Sequence, residues 1–127
     1  MQKKILVIDD EASIRDILSR AFTKAGYEVQ VAENAEIALK MVKKDNIQVF
    51  FVDLLLPGMD GVELCRTIKK DRPTAFLFAM TGYASVFDLV KCREAGFDDY
   101  FPKPFDIEIL LKIAREAFEK LDRWRSG

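Results

Sequence analysis

Five short apolar runs, each followed by a longer stretch with helical apolar spacing, limit what this 127-residue chain can fold into more than any other feature. The runs are Lys4 to Ile8 (KILVI), Tyr27 to Val31 (YEVQV), Gln48 to Val52 (QVFFV), Ala75 to Met80 (AFLFAM) and Asp98 to Phe101 (DDYF). Their β-branched and aromatic content, bounded by charge or turn residues, reads as strands. A continuously apolar run is buried on both faces, which is the condition of a parallel strand between two helix layers. YEVQV alternates instead and reads as a strand nearer an edge.

The intervening stretches each carry one helix face. Ile14, Ile17, Leu18, Ala21, Phe22 and Ala25 form the first, stopped by Gly26. Asn34 is placed to cap a second helix bearing Ile37, Ala38, Met41 and Val42. LLLPGMDG reads as a loop, broken by Pro57, Gly58, Asp60 and Gly61. A short helix follows through Val62, Leu64, Cys65 and Ile68, closed at Asp71-Arg72-Pro73. Val86, Leu89, Val90 and Arg93 mark a fourth helix ending at Gly96. Asp106 caps the fifth, with Ile107, Leu110, Leu111, Ala114, Phe118 and Leu121 on its inner face. Five βα units are too few for an eight-fold barrel, so an open doubly wound α/β sheet with right-handed crossovers remains. The length suits one domain, over residues 1–122, with a core that needs no disulfide or metal staple. Residues 123–127 read as a tail or the start of a linker.

Composition excludes several functions. There is no histidine, which removes Ser-His-Asp and Cys-His catalysis, a histidine metal site and a phospho-histidine carrier. Twenty basic against 21 acidic side chains give a net charge of −1, with no basic excess for nucleic acid or an anionic membrane. Cys65 and Cys92 form no CxxC pair and read as reduced, buried thiols of a cytoplasmic protein. The apolar stretch Ile5 to Ile8 is too short for a signal peptide or a membrane span.

Function in open α/β sheets gathers at the carboxyl ends of the strands. The residues leaving those ends are Asp9 and Asp10, then Asp53, Thr81 and Lys103, the last between Pro102 and Pro104. Three converging carboxylates repel one another, and a hard divalent cation with oxygen ligands, Mg²⁺, resolves that repulsion. Helix capping by Asp9 and Asp10 is the simpler alternative for that pair. A metal, an ammonium and a hydroxyl around one carboxylate would serve phosphoryl transfer, with Asp53 as nucleophile.

These residues carry a family resemblance. Asp9-Asp10 after ILVI, Asp53 in VDLLLPGMDG, Thr81-Gly82 after FLFAM, and Lys103-Pro104-Phe105 together resemble a response-regulator receiver domain of two-component signalling, over Lys3 to Leu121. The resemblance implies a flavodoxin-like (βα)5 sandwich with a five-stranded parallel sheet of order 2-1-3-4-5. It implies Asp53 as phospho-acceptor; Asp9, Asp10, Asp53 and the backbone carbonyl of Leu55 around Mg²⁺; and Thr81 and Lys103 against the phosphoryl group. Thr81 and Tyr100 fall at the switch positions, which would repack the surface of the fourth helix, fifth strand and fifth helix. The Lys103-Pro104 bond resembles the family's cis peptide. The implied donor is a histidine kinase or histidine phosphotransfer protein. The implied target is an output protein or domain, with a homodimer possible and no direct nucleic-acid or membrane contact. Self-phosphorylation and self-dephosphorylation, not turnover of an outside substrate, would be its chemistry.

Two positions depart from the usual pattern: Leu55, two residues past the acceptor, and Tyr83, two past Thr81. Both are apolar or bulky where access of water to an acyl phosphate is set, and a longer-lived phosphorylated state is expected. Tyr83 and Phe87 form an i, i+4 aromatic pair placed near Tyr100, suited to a dimer or partner surface. Three other functions fit the residues less well. An aspartyl-phosphate hydrolase would want a second aspartate where Leu55 stands. A flavin carrier would want a hydroxyl-rich phosphate loop where Asp9-Asp10-Glu11 stands. A receiver that only binds partners would not need every acceptor-site position filled.

Overall fold

The computed structural model describes residues 2–82 and 89–126. Its element order is β1 (Lys4–Ile8), α1 (Ala12–Lys24), β2 (Glu28–Ala32), α2 (Ala35–Lys44), β3 (Val49–Asp53), α3 (Gly61–Asp71), β4 (Phe76–Thr81), α4 (Leu89–Ala95), β5 (Asp99–Pro102) and α5 (Ile107–Ser126). The five strands form one parallel sheet in the order β2-β1-β3-β4-β5. This is the expected flavodoxin-like (βα)5 arrangement. The central strands β1, β3 and β4 are buried almost throughout, while β2 and β5 at the edges are only partly covered.

Alternation along each central strand sends successive side chains to opposite faces. Leu6, Ile8, Phe50, Val52, Leu77 and Ala79 point to one side, where α2 contributes Ala35, Ala38 and Val42, α3 Leu64, Cys65 and Ile68, and α4 Cys92 and Ala95. Ile5, Val7, Val49, Phe51, Phe76, Phe78 and Met80 point to the other, against Leu18 and Phe22 of α1 and Leu110, Ala114, Ala117 and Phe118 of α5. Phe51 anchors that second layer, with its ring centroid 5.0 Å from Phe22 and 5.2 Å from Phe78.

The helix ends follow the expected chemistry. Asn34 accepts the Ile37 N–H at 2.9 Å, and Asp60 accepts the Glu63 N–H at 2.8 Å. Gly26 adopts φ 101° after α1, a left-handed value that favours glycine. Asp106 accepts the Glu108 N–H at 2.9 Å on its side chain and the Ile109 and Leu110 N–H groups on its carbonyl.

Several expectations need correction. Strands β2 to β5 each run one residue later than the apolar runs suggest, because ladder hydrogen bonding continues past the last apolar side chain. Asp53 and Thr81 are therefore the final strand residues, not the first loop residues. On α1, Ile17 is exposed and Ala25 lies beyond the helix; only Leu18 and Phe22 are fully buried, so the packed stripe is narrower than the apolar one. On α4, Leu89 and Val90 are 54% and 60% exposed, and the buried positions are Cys92 and Ala95. Leu89 borders a cavity of about 200 Å³ between α4 and β5 instead of packed core. Val86 and the expected Tyr83–Phe87 pair lie outside the described residues. At the other end, α5 continues past Leu121, and Trp124 stacks on Phe76 at 5.6 Å. Both cysteines are free and buried, as expected.

Candidate functional site

Strand register assembles the site. Ile8 of β1 pairs with Val52 of β3, so the residues that follow them, Asp9 and Asp53, leave adjacent strands at the same level. Asp53 pairs with Met80, which puts Thr81 one step further along β4. Thr81 pairs with Pro102, and Lys103 follows β5 with its N–H donating to the Thr81 carbonyl at 2.7 Å. The Lys103-Pro104 bond is cis.

The side chains converge accordingly. Asp9, Asp10 and Asp53 each present a carboxylate oxygen, all within 4.8 Å of one another. Asp9 and Asp53 are buried and Asp10 is exposed. The Lys103 ammonium donates to Asp9 Oδ2 at 2.8 Å and lies 3.6 Å from Asp53 Oδ2. Asp9 Oδ1 accepts the Glu11 N–H at 2.9 Å. It thus braces the loop ahead of α1, and its other oxygen is turned to Lys103. The capping alternative does not hold for either aspartate, because the N-cap residue of α1 is Glu11 and no side chain makes a cap hydrogen bond there. Asp53 Oδ1 accepts the Leu55 N–H at 3.2 Å. Asp10, Glu11, Asp53, Leu55, Gly82 and Lys103 line a cleft of about 280 Å³. Thr81, the last residue of β4, is fully buried, and the cleft wall on that side is formed by Gly82, which follows the strand.

Burial, and next the charge of Asp9, push the Asp53 carboxyl up to about 6, against the opposing pull of Lys103 and the Leu55 N–H. Burial also raises Asp9, which its hydrogen bond to Lys103 opposes. Burial works against the charge on Lys103, but the Asp9 hydrogen bond and the charges of Asp53, Asp9 and Glu11 outweigh it and hold the ammonium above its ordinary range. The arrangement is a carboxylate held at high energy beside a fixed cation, which suits a nucleophile that gains by acquiring a counter-ion or a covalent partner. Its donors are all hard oxygens, so the acidic cluster can hold a metal ion of the Mg²⁺ type.

Three supporting residues were not singled out from the sequence. Glu11 Oε1 lies 3.4 Å from Lys103 Nζ, across 92 residues of chain, and no local pattern announces such a pairing. Arg15, one turn into α1, donates to the Asp9 carbonyl at 2.8 Å. In the sequence Gly61 reads only as a loop breaker. A Cβ there would stand 2.5 Å from the Asp53 carbonyl oxygen and 2.9 Å from Leu54 Cα, so α3 can start this close to the acceptor only without a side chain. Its N–H donates to the Leu54 carbonyl at 3.2 Å and ties the loop back.

Tyr100 sits apart from the cleft. On β5 it pairs with Ala79, two residues before Thr81 on β4. It is half-buried and lines the α4–β5 cavity with Leu89, Cys92, Arg93 and Phe97. Its hydroxyl is buried and has no hydrogen-bond partner among the described residues.

Fold and site together define a receiver. Residues 5–115 match the response regulator receiver domain family, and the chain belongs to it. The chain is 36% identical over 120 residues to the response regulator MprA of Mycobacterium ulcerans (strain Agy99), covering 94% of this chain and 52% of that protein. It therefore spans about half the length of the curated relatives it matches. A CheY-like receiver domain protein from Methanospirillum hungatei JF-1 superposes with a TM-score of 0.92 at 32% identity, covering 97% and 98% of the two chains. The beryllofluoride-activated NtrC4 receiver domain dimer superposes with a TM-score of 0.87 at 34% identity, covering 94% and 98%. The protein is thus a response regulator receiver domain of a two-component system. No helix among the described residues is long and apolar enough to cross a membrane.

Proposed function

We propose that this receiver is a phosphorylation-activated switch in which Asp53 accepts a phosphoryl group from a phospho-histidine donor, a histidine kinase or a histidine phosphotransfer protein. The observation that carries the reading is the convergence of Asp9, Asp10 and Asp53 beside the Lys103 ammonium at one rim of the sheet. An oxygen of Asp53 forms a bond to phosphorus as the bond from phosphorus to the donor imidazole nitrogen breaks. The imidazole keeps the electron pair and takes a proton from solvent. Lys103 neutralises charge on the transferred oxygens, and the Thr81 hydroxyl, at the end of β4, turns to donate to them. The carboxylates of Asp9, Asp10 and Asp53, with the Leu55 carbonyl, would hold Mg²⁺. When bound, the ion supplies charge neutralisation that the carboxylate cluster alone opposes.

The output runs through β4 and β5. Thr81 and Tyr100 lie on paired strands, two residues apart in register, and the cavity beside Tyr100 gives its ring room to move. Repacking of α4, β5 and α5 would then control a partner protein, an output domain or a second copy, in the cytoplasm. Leu89 and Val90, exposed on α4, give that face an apolar component. The reading is tested by intact mass after incubation with a small acyl phosphate, with and without Mg²⁺. One added phosphoryl group that requires both Mg²⁺ and Asp53 supports it. An adduct that survives in Asp53→Asn refutes the assignment of the acceptor.

A further inference from the structure

Lys103 is shared by three carboxylates, and they do not hold it equally. Asp9 is nearest at 2.8 Å, Glu11 follows at 3.4 Å, and Asp53 is last at 3.6 Å. Asp9 and Asp53 are buried in the floor of the site, whereas the Glu11 side chain is 59% exposed at the mouth of the cleft. The ammonium is therefore drawn in two directions, inward by the buried pair and outward by Glu11. A phosphoryl group on Asp53 presents new anionic oxygens on the inner side, where the acceptor carboxylate now lies 3.6 Å from the ammonium, and they draw it further inward. Each step inward lengthens the outer contact with Glu11.

We infer that Glu11 is a positioning residue that restrains Lys103 at the cleft mouth and so sets how readily the site takes a phosphoryl group. This rests on the proposed role of Asp53 as acceptor. The side-chain contact of Glu11 in the cleft is with Lys103, so it acts through the lysine. Loss of the contact leaves the ammonium free to settle on the acceptor side, so the site binds a phosphoryl group more tightly. An exposed ion pair of this kind is worth about two- to fivefold in an equilibrium constant.

The contact can be separated from the mere presence of a negative charge. Glu11→Gln removes the charge. Glu11→Asp keeps the charge but shortens the arm by one methylene, which withdraws the carboxylate from Lys103. Both substitutions are at an exposed position whose backbone N–H, not its side chain, braces the loop. The probe is beryllofluoride in the presence of Mg²⁺, with its affinity for the whole chain measured by titration calorimetry. Wild type, both Glu11 variants and Asp53→Asn are compared at one ionic strength.

The expected result is about two- to fivefold tighter binding in both Glu11 variants. Tighter binding in Glu11→Gln alone would overturn the proposal, because Glu11 would then act through its field on the anionic probe. Unchanged affinity in both would also overturn it, as would weaker binding in either. Asp53→Asn is the independent control. If it binds beryllofluoride like wild type, the acceptor assignment itself falls, whatever the Glu11 variants do.

Discussion

Asp53→Asn should make the metal-free protein more stable, and the gain should depend on pH. The ordinary aspartate value is 3.8, and burial with the Asp9 charge lifts Asp53 to about 6. A shift of about two units corresponds to about 3 kcal/mol between protonation states, at about 1.4 kcal/mol per unit. For an acid whose folded pKa is raised, the folded chain holds its proton more tightly than the unfolded chain does. Stability therefore falls as pH rises from about 4 through 6, and the whole penalty is present above that window. Asparagine keeps the shape and can still accept the Leu55 N–H, but it carries no charge to desolvate. The expected gain is up to about 3 kcal/mol at pH 7.5 and close to zero at pH 4. The assay is urea unfolding in a chelating buffer at both pH values, followed by the single tryptophan, Trp124, which stacks on Phe76 in the folded state. Added Mg²⁺ should stabilise wild type by about 2.7 kcal/mol at a hundred times its Kd, and the variant much less. A variant no more stable than wild type at pH 7.5, or one with the same gain at both pH values, would refute the reasoning.

Gly61→Ala should destabilise by about 1–3 kcal/mol and impair phosphorylation of Asp53, because the new Cβ meets backbone atoms that cannot yield. Unfolding curves and intact mass check the two effects separately, and an unchanged variant would show that the loop relaxes freely. Leu55, 42% exposed on the cleft wall, is expected to limit water at the acyl phosphate. Leu55→Asn should then shorten the lifetime of the phosphorylated state, and an unchanged decay rate ends that idea. Burial pushes the Cys65 thiol up to about 12, so at pH 8 only ~10⁻⁴ of it is thiolate. Neither buried cysteine should react with a disulfide reagent within minutes until urea unfolds the chain; prompt native-state labelling would contradict the packing. Trp124→Ala should cost about 1 kcal/mol through the lost stack on Phe76, and no loss in urea midpoint would mean that the end of α5 contributes nothing.

What could be read from the sequence was whatever the chain encodes locally or at one strand end. The apolar runs identified β1, β3 and β4 to within a residue, because burial on both faces leaves no room for polar side chains; the partly covered edge strands β2 and β5 were placed as closely without that signal. Asn34 and Asp106 were recognisable as caps because a cap acts within three or four residues of itself. Asp9, Asp10, Asp53 and Lys103 could be picked out as neighbours because a parallel sheet delivers all its strand ends to one side. Glu11 was in plain sight beside Asp10, yet its partner Lys103 is 92 residues away, and only the register of four strands brings them together. Gly61 carried a turn signal but not its reason, which is the approach of α3 to the Asp53 carbonyl.

The fourth helix misled for a related reason. Its apolar spacing is real, but spacing defines a face and does not say what lies opposite. β5 is a short edge strand of four residues, and its Tyr100 borders a cavity where a central strand would have presented filled core. Leu89 consequently borders open space, and burial falls on the small side chains Cys92 and Ala95. A well-filled helix–sheet contact has one stable arrangement, whereas a contact with a void beside a movable ring admits a second. The place where apolar spacing failed to foretell burial is therefore the place where the proposed switch, running from Asp53 along β4 to the rung of Tyr100, would meet the least resistance.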